Sequence, residues 1–266
     1  MTTPWAATLI LWAVLAVAFV IVWVVRRARG PVDTGPATAF IGGAIGLLLS
    51  LVIFFALGHR TEAQSAAQAE ATAFTTLFSS MAPLPGAISD PPQHAAVCAM
   101  RSIIADEWPT MADGAVGGSP TTQRAISRLY AAIERIPRDD PAVAPYIDTV
   151  WGSMLERAAA RDARLAQGTP QVPLAIWLIM WIGAFIVVVL VGLEEKLTGR
   201  GAWIGVGAAL VVTFTMLVAA TAVLDRPYGS VAGVEPSALR NSLAVVVANQ
   251  PANSPVVAPC APATRS

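Results

Sequence analysis

Charged and apolar positions separate into long blocks along this chain. Residues 5–25, 37–57, 172–193 and 202–224 contain no Asp, Glu, Lys, Arg or His. At 1.5 Å of rise per residue, roughly 20 apolar residues cross a hydrocarbon core of ~30 Å, and a helix satisfies its own backbone there. The pattern predicts four transmembrane helices. The first exceeds the ~7 to 15 apolar residues of a cleavable signal, and its positive charge follows the apolar run instead of preceding it, so it is read as a retained anchor.

Between the second and third apolar blocks, residues 58–171 change character and hold nine Arg and twelve Asp or Glu. Apolar residues recur here at the helical period, not in strand alternation. Glu62 to Met81 carries a stripe of Ala66, Ala67, Ala73, Phe74, Leu77, Phe78 and Met81. Gln93 to Trp108 does so with Val97, Met100, Ile103 and Ile104, and Thr121 to Ile136 with Ile126, Leu129, Tyr130 and Ile133. Val143 to Leu165 uses Ile147, Val150, Trp151, Met154, Leu155, Ala158 and Leu165. Pro91 and Pro92 precede the second piece and Pro109 follows it, where a missing N–H and a ring clash stop a helix. Ser119, Pro120 and Thr121 form a capped start for the third, and Pro137 its stop. The expected fold is all-α: a hairpin of two spans (1–57), a four-helix extramembrane segment (58–171) and a second hairpin (172–224). A membrane-proximal segment (225–248) and a disordered Pro-, Ala- and Val-rich tail (249–266) follow. In the former, Leu239, Leu243 and Val246 share one face of a short helix lying along the membrane.

Composition narrows the class. Hydrophobic residues make up 55% and charged ones 13%, about half the charge of an ordinary soluble domain, and the mean hydropathy is +0.62. Seventeen basic and seventeen acidic residues cancel, which removes an electrostatic case for nucleic acid. Arg26, Arg27 and Arg29, and Lys196 and Arg200, lie in the two short loops between spans. The positive-inside tendency makes those loops cytoplasmic, with both termini and the 58–171 segment outside the cell membrane. Trp5, Trp12, Trp23, Trp177, Trp181 and Trp203 read as interface anchors. Ala39, Gly42, Gly43 and Gly46, with Gly205 in the fourth span, are small residues that let helices pack closely, within the bundle or in a homo-oligomer.

Candidate chemistry is sparse. No nucleophile elbow, phosphate-binding loop, dinucleotide fingerprint or His-Glu-x-x-His occurs, so no enzyme activity and no cofactor are expected. His59 and His94 lie far apart, and Cys98 and Cys260 are the only cysteines, which leaves no metal site. The two cysteines form either a mutual disulfide or, at Cys98, a buried thiol. Glu70, Arg101, Arg161 and Asp162 interrupt the apolar stripes. They mark either solvated edges with weak surface ion pairs or a buried polar cluster with Arg101 against Glu70 or Asp106.

Several phrases carry a resemblance: Arg60-Thr61-Glu62 leading into Glu70, Ala105-Asp106-Glu107-Trp108-Pro109, and the spaced arginines from Arg157 to Leu165 before Pro173 and Trp177. The most specific is Asp225-Arg226-Pro227-Tyr228-Gly229. Over residues 5–245 the chain resembles the bestrophin-like membrane proteins. The resemblance implies two spans, a helical segment of about a hundred residues, two more spans and the Asp-Arg-Pro-aromatic-Gly turn. It also implies kinship with anion channels assembled as rings and places the long segment inside the cell, against the charge distribution. The resemblance supplies no pore residue; read from the chain itself, candidate ion-mouth or polar-cluster residues are Glu70, Arg101, Asp106, Glu107, Arg161, Asp225 and Arg226, with Pro227, Tyr228 and Gly229 as the signature turn. Two functions are expected: passive anion passage through a homo-oligomer in the lipid bilayer, or a non-conducting scaffold or sensor whose 58–171 segment binds a partner protein.

Overall fold

The computed structural model describes residues 4–30, 32–115, 117–169, 172–194, 200–229 and 233–260. The helices are α1 (Pro4–Arg29), α2 (Gly35–Ser80), α3 (Gly86–Ser102), a π-helical turn (Ile103–Glu107) and α4 (Trp108–Ala112). They continue with α5 (Pro120–Glu134), α6 (Ile147–Ala166), α7 (Leu174–Leu193), α8 (Arg200–Leu224), α9 (Ser237–Ala248) and a 3-10 turn at Pro255–Val257. Among the described residues the only β interaction is a single bridge between Val32 and Glu194. The chain divides into two compact units, one of Met1–His59 with Gln171–Asp225 and one of Arg60–Pro170 with Arg226–Ser266.

The first unit holds the apolar helices. Four helices among the described residues, α1, α2, α7 and α8, are long and apolar enough to cross a membrane. Ala7, Leu11, Leu15 and Ala18 of α1 meet Trp177, Met180, Trp181, Ala184 and Val188 of α7, with Phe214, Val218 and Ala222 of α8. In the most apolar window of α7, 39% is buried, against 11% for α2, so α7 is the central helix and α2 the peripheral one. Trp177 and Trp181 are core residues, not interface anchors, whereas Trp12 and Trp23 are exposed. The side chains of Trp5, expected as an anchor, and of Lys196 and Arg200, expected as loop charges, lie outside the described ones.

Lipid supplies no hydrophobic force between helices, so close backbone approach does the packing. That approach occurs at Gly183, Gly192 and Gly207, where an added methyl would come within 3.2 Å of Ile45, 2.8 Å of Val22 and 3.2 Å of Phe19. It does not occur at the glycines singled out by sequence spacing. A methyl at Gly42, Gly43, Gly46 or Gly205 would meet nothing within 4 Å, and Ala39 is exposed. The small-residue stripe is therefore not a packing face within this chain.

The second unit has a water-soluble type of core. Ala63, Ala67, Ala71, Phe74 and Leu77 of α2, with Met81 just after it, pack with Met100 and Ile103, Trp108 and Met111, Ile126, Leu129 and Ile133, and Val150 and Met154. Several expected boundaries move. Pro91 and Pro92 lie inside α3 instead of before it. Pro109 does not end the helical path, because the π-helical turn intervenes: Trp108 N–H bonds to Ile103 O, and Pro109 becomes an early residue of α4. A wider turn changes the hydrogen-bond register, so the missing proline N–H falls where a new helix begins. Ser119 caps α5 as expected, its hydroxyl accepting from Thr121 N at 3.2 Å.

The C-terminal stretch departs furthest from expectation. The apolar face of α9 does not lie along a membrane, since Leu239 and Val246 are buried within the second unit. Residues 249–260, expected to be disordered, instead dock. Val256 is fully buried against Val97 and Val246, and Cys260 forms a disulfide with Cys98. The remainder of the tail expected to be disordered, 261–266, lies outside the described residues.

Candidate functional site

The polar residues of the second unit sort into a buried network and a separate cleft. The network starts from α6, where Arg157, Arg161 and Arg164 continue the same buried face as Val150 and Met154. Leu155, counted on the apolar stripe from its sequence, is exposed at 63%. Arg164 Nε donates to Glu70 Oε2 and Arg164 Nη2 to Glu107 Oε1. Arg161 donates to the same Glu107 carboxylate through Nη2 at 2.6 Å and Nε at 3.3 Å, and through Nη1 to Gln123 Oε1 at 3.2 Å. Ser119 N also points to Glu107, at 3.4 Å.

Glu70, Glu107 and Arg164 are completely buried. A charge removed from water is tolerated only when paired and hydrogen-bonded, and Glu107 meets that condition with donors from α6 and from the start of α5. Burial alone would raise its pKa, but the hydrogen bond from Arg161 and the charges of Arg164 and Arg161 hold it below the ordinary carboxylate value. Burial likewise opposes the charge on Arg164, and the carboxylates of Glu70 and Glu107 keep its pKa above the usual guanidinium value. Gly118 completes the fit. Its φ is +80°, and a methyl there would stand 2.6 Å from Glu107 Oε2.

Aromatic rings surround these charges. The Arg164 guanidinium lies 5.0 Å from the Trp108 ring centre, and Trp108 meets Tyr228 edge-on at 5.4 Å. Arg157 lies 5.6 Å from the ring of Phe74 and 5.8 Å from that of Tyr130, and its burial lowers its pKa. The signature turn enters the network through its aromatic residue: the Tyr228 hydroxyl donates to Ala63 O at 3.1 Å. Gly229 closes the turn by donating to Arg226 O at 2.9 Å, and Pro227 O accepts from Val234 N. Asp225 falls in the first unit, where its carboxylate accepts from Val172 N at 2.9 Å just ahead of α7. The boundary between the two units thus falls inside the signature.

The sequence candidates therefore part company. Glu70, Glu107 and Arg161 come together as a buried network and not as solvated edges. Arg101 partners neither Glu70 nor Asp106; it donates to Ala258 O at 3.2 Å and to Cys260 Sγ at 3.5 Å. Asp106 accepts from Ser102 Oγ at 3.0 Å, and Asp162 is exposed. Sequence reasoning missed Arg164 and Arg157 as the network's other cations. Their signal was the spacing 157, 161, 164, which matches one helix face. Among the described residues no group of three His, Cys, Asp or Glu is placed to hold a metal ion.

Four apolar, membrane-length helices with large exposed side chains define an all-helical membrane protein. Phe40, Leu47 and Phe54, at 70 to 80% exposure, are surface that only lipid or another protein accepts. Residues 7–239 match the model of the bestrophin-like domain, and the chain belongs to the bestrophin-like family. A solved crystal structure, described as that of a membrane protein, has the same fold, with a TM-score of 0.63 at 14% identity, covering 93% of this chain and 98% of that one. Comparison with curated proteins gives no match.

Proposed function

We propose that the protein is a self-associating four-span protein of the cell membrane that lets anions pass passively. The observation that carries this reading is the small, uncharged face of α2, Ala39, Gly43 and Gly46, which this chain leaves exposed. Such residues permit close helix approach in lipid, and a second copy of the chain supplies the missing helix. Kinship with the bestrophin-like family supports the ion-conducting part, and apolar helix faces with arginines at their ends favour anions over cations. No catalytic group is required.

The same reading places the second unit outside the cytoplasm. The disulfide between Cys98 and Cys260 supports that side, since such bonds persist in oxidising compartments, and so do the arginines after α1. Purified protein in liposomes tests conduction: anion flux above that of empty liposomes is expected, and its absence with intact oligomers would sink the proposal. A second reading is a non-conducting scaffold. It is favoured by an open groove of about 750 Å³ in the second unit, lined mostly by small and polar residues such as Gln64, Gln68, Thr72 and Thr76, with Glu156, a surface fit for a protein partner.

A further inference from the structure

One edge of the half-open cleft in the second unit is the Cys98–Cys260 disulfide. We propose that this bridge is a thiol–disulfide exchange site, opened and closed by a dithiol partner, and that its state decides whether the C-terminal stretch is held on α3. Besides the bridge, α3 holds that stretch through one fully buried valine, Val256, which packs on Val97 and on Val246 of α9. Hydrogen bonds from His94 to Val256 O and from Arg101 to Ala258 O, at 3.1 and 3.2 Å, add to that hold. Cys98 and Cys260 are both half-buried and not sealed in the core, so a thiolate from outside reaches the bridge.

Each sulfur has beside it a group suited to the exchange. Arg101 Nη1 lies 3.5 Å from Cys260 Sγ, and a cation there stabilises the negative charge of a departing Cys260 thiolate. His94 Nε2 lies 3.6 Å from Cys98 Sγ, while Nδ1 lies 3.1 Å from Val256 O. A carbonyl only accepts, so Nδ1 of the neutral ring carries the proton and Nε2 turns its lone pair to the sulfur. His94 and Cys98 are four residues apart on α3, so the imidazole stays beside that sulfur when the bridge opens. In the opening direction a thiolate of the dithiol attacks Cys98 Sγ, the S–S bond breaks and Cys260 leaves as thiolate. The dithiol's second thiolate then attacks its own sulfur in the mixed disulfide and releases the Cys98 thiolate. Two electrons pass to the bridge, the partner ends as a disulfide, and the two protons it gave up are balanced by those the two cysteines take. Closing uses an oxidised partner: Nε2 takes the Cys98 thiol proton, the thiolate attacks the partner's disulfide, and the Cys260 thiolate displaces the partner from Cys98.

Full-length oxidised protein in detergent, mixed with dithiothreitol and quenched at intervals with N-ethylmaleimide for mass spectrometry, tests the site. The reduction rate is expected to rise in proportion to dithiothreitol while far-ultraviolet circular dichroism shows the helices folded, because attack falls on the native bridge. R101Q is expected to slow reduction about tenfold by removing the cation beside the leaving thiolate. An Arg101 that only anchors the tail gives the opposite result, since a loosened tail exposes the bridge and speeds its reduction. H94Q, reduced and then supplied with oxidised glutathione at neutral pH, is expected to re-form the bridge about tenfold more slowly than the wild type. A wild-type reduction rate that does not change with dithiothreitol, a rate in folded R101Q equal to or above that of the wild type, or undiminished re-formation in folded H94Q overturns the proposal.

Discussion

At the scale of single residues, Arg164 is the most consequential side chain of the second unit, because it bonds two buried carboxyl groups at once. Arg164→Ala leaves both without that partner and is expected to cost about 3 to 5 kcal/mol, read as a lowered unfolding midpoint in detergent. Tyr228 gives a pH signature. Burial raises its phenol pKa, whereas in the unfolded chain it is about 10. Below that pH both states hold the proton and the contribution is complete. Above it the unfolded chain ionises first, and stability falls as pH rises towards the folded value. Y228F is expected to lose the hydrogen bond to Ala63 O, at about 1 kcal/mol, and to show a flatter alkaline limb in unfolding measured from pH 8 to 11. The sequence displayed the arginine spacing and the Asp-Arg-Pro-Tyr-Gly turn. It did not reveal that the arginines are buried, because hydropathy alone counts every Arg as solvent-facing.

At the scale of elements, helix identities were legible and their ends were less so. Hydrophobic period located α3, α5 and α6, since one face of each must leave water. Proline was the misleading signal: Pro91 and Pro92 lie inside α3, and Pro109 opens α4, where the preceding π-helical turn and a helix start both tolerate the missing donor. The tail was misread for a different reason. Its composition is that of a disordered segment, but a disulfide and one buried valine hold it to α3. The bridge joins residues separated by 162 positions, so its reduction, or Cys98→Ser, is expected to destabilise the second unit by about 3 to 5 kcal/mol. Limited proteolysis then cuts near Asn253 in reduced but not in oxidised protein, and equal cleavage in both states would contradict the docked tail.

At the scale of the whole molecule, the glycines separate two kinds of helix contact. Gly192 faces Val22 within the chain, so Gly192→Ala is expected to overpack the α1–α7 contact and cost about 1 to 3 kcal/mol. Gly46 faces open space, so Gly46→Leu leaves the monomer's helicity and thermal midpoint unchanged while shifting the protein towards smaller species. Light scattering after size exclusion in detergent reads that shift, and an unaltered mass would argue against α2 as the contact between copies.

What the sequence determined by itself was the set of membrane-length helices and the helical nature of the remainder. Lipid accepts no unpaired backbone and no free charge, so an uninterrupted apolar run of the right length already records the solvent around it. Tertiary structure alone decided that Arg164 and not Arg101 meets Glu70, that Cys98 reaches Cys260, and which glycines touch a neighbouring helix. Those pairings join residues far apart in the chain, and distance in space is set only when the helices pack.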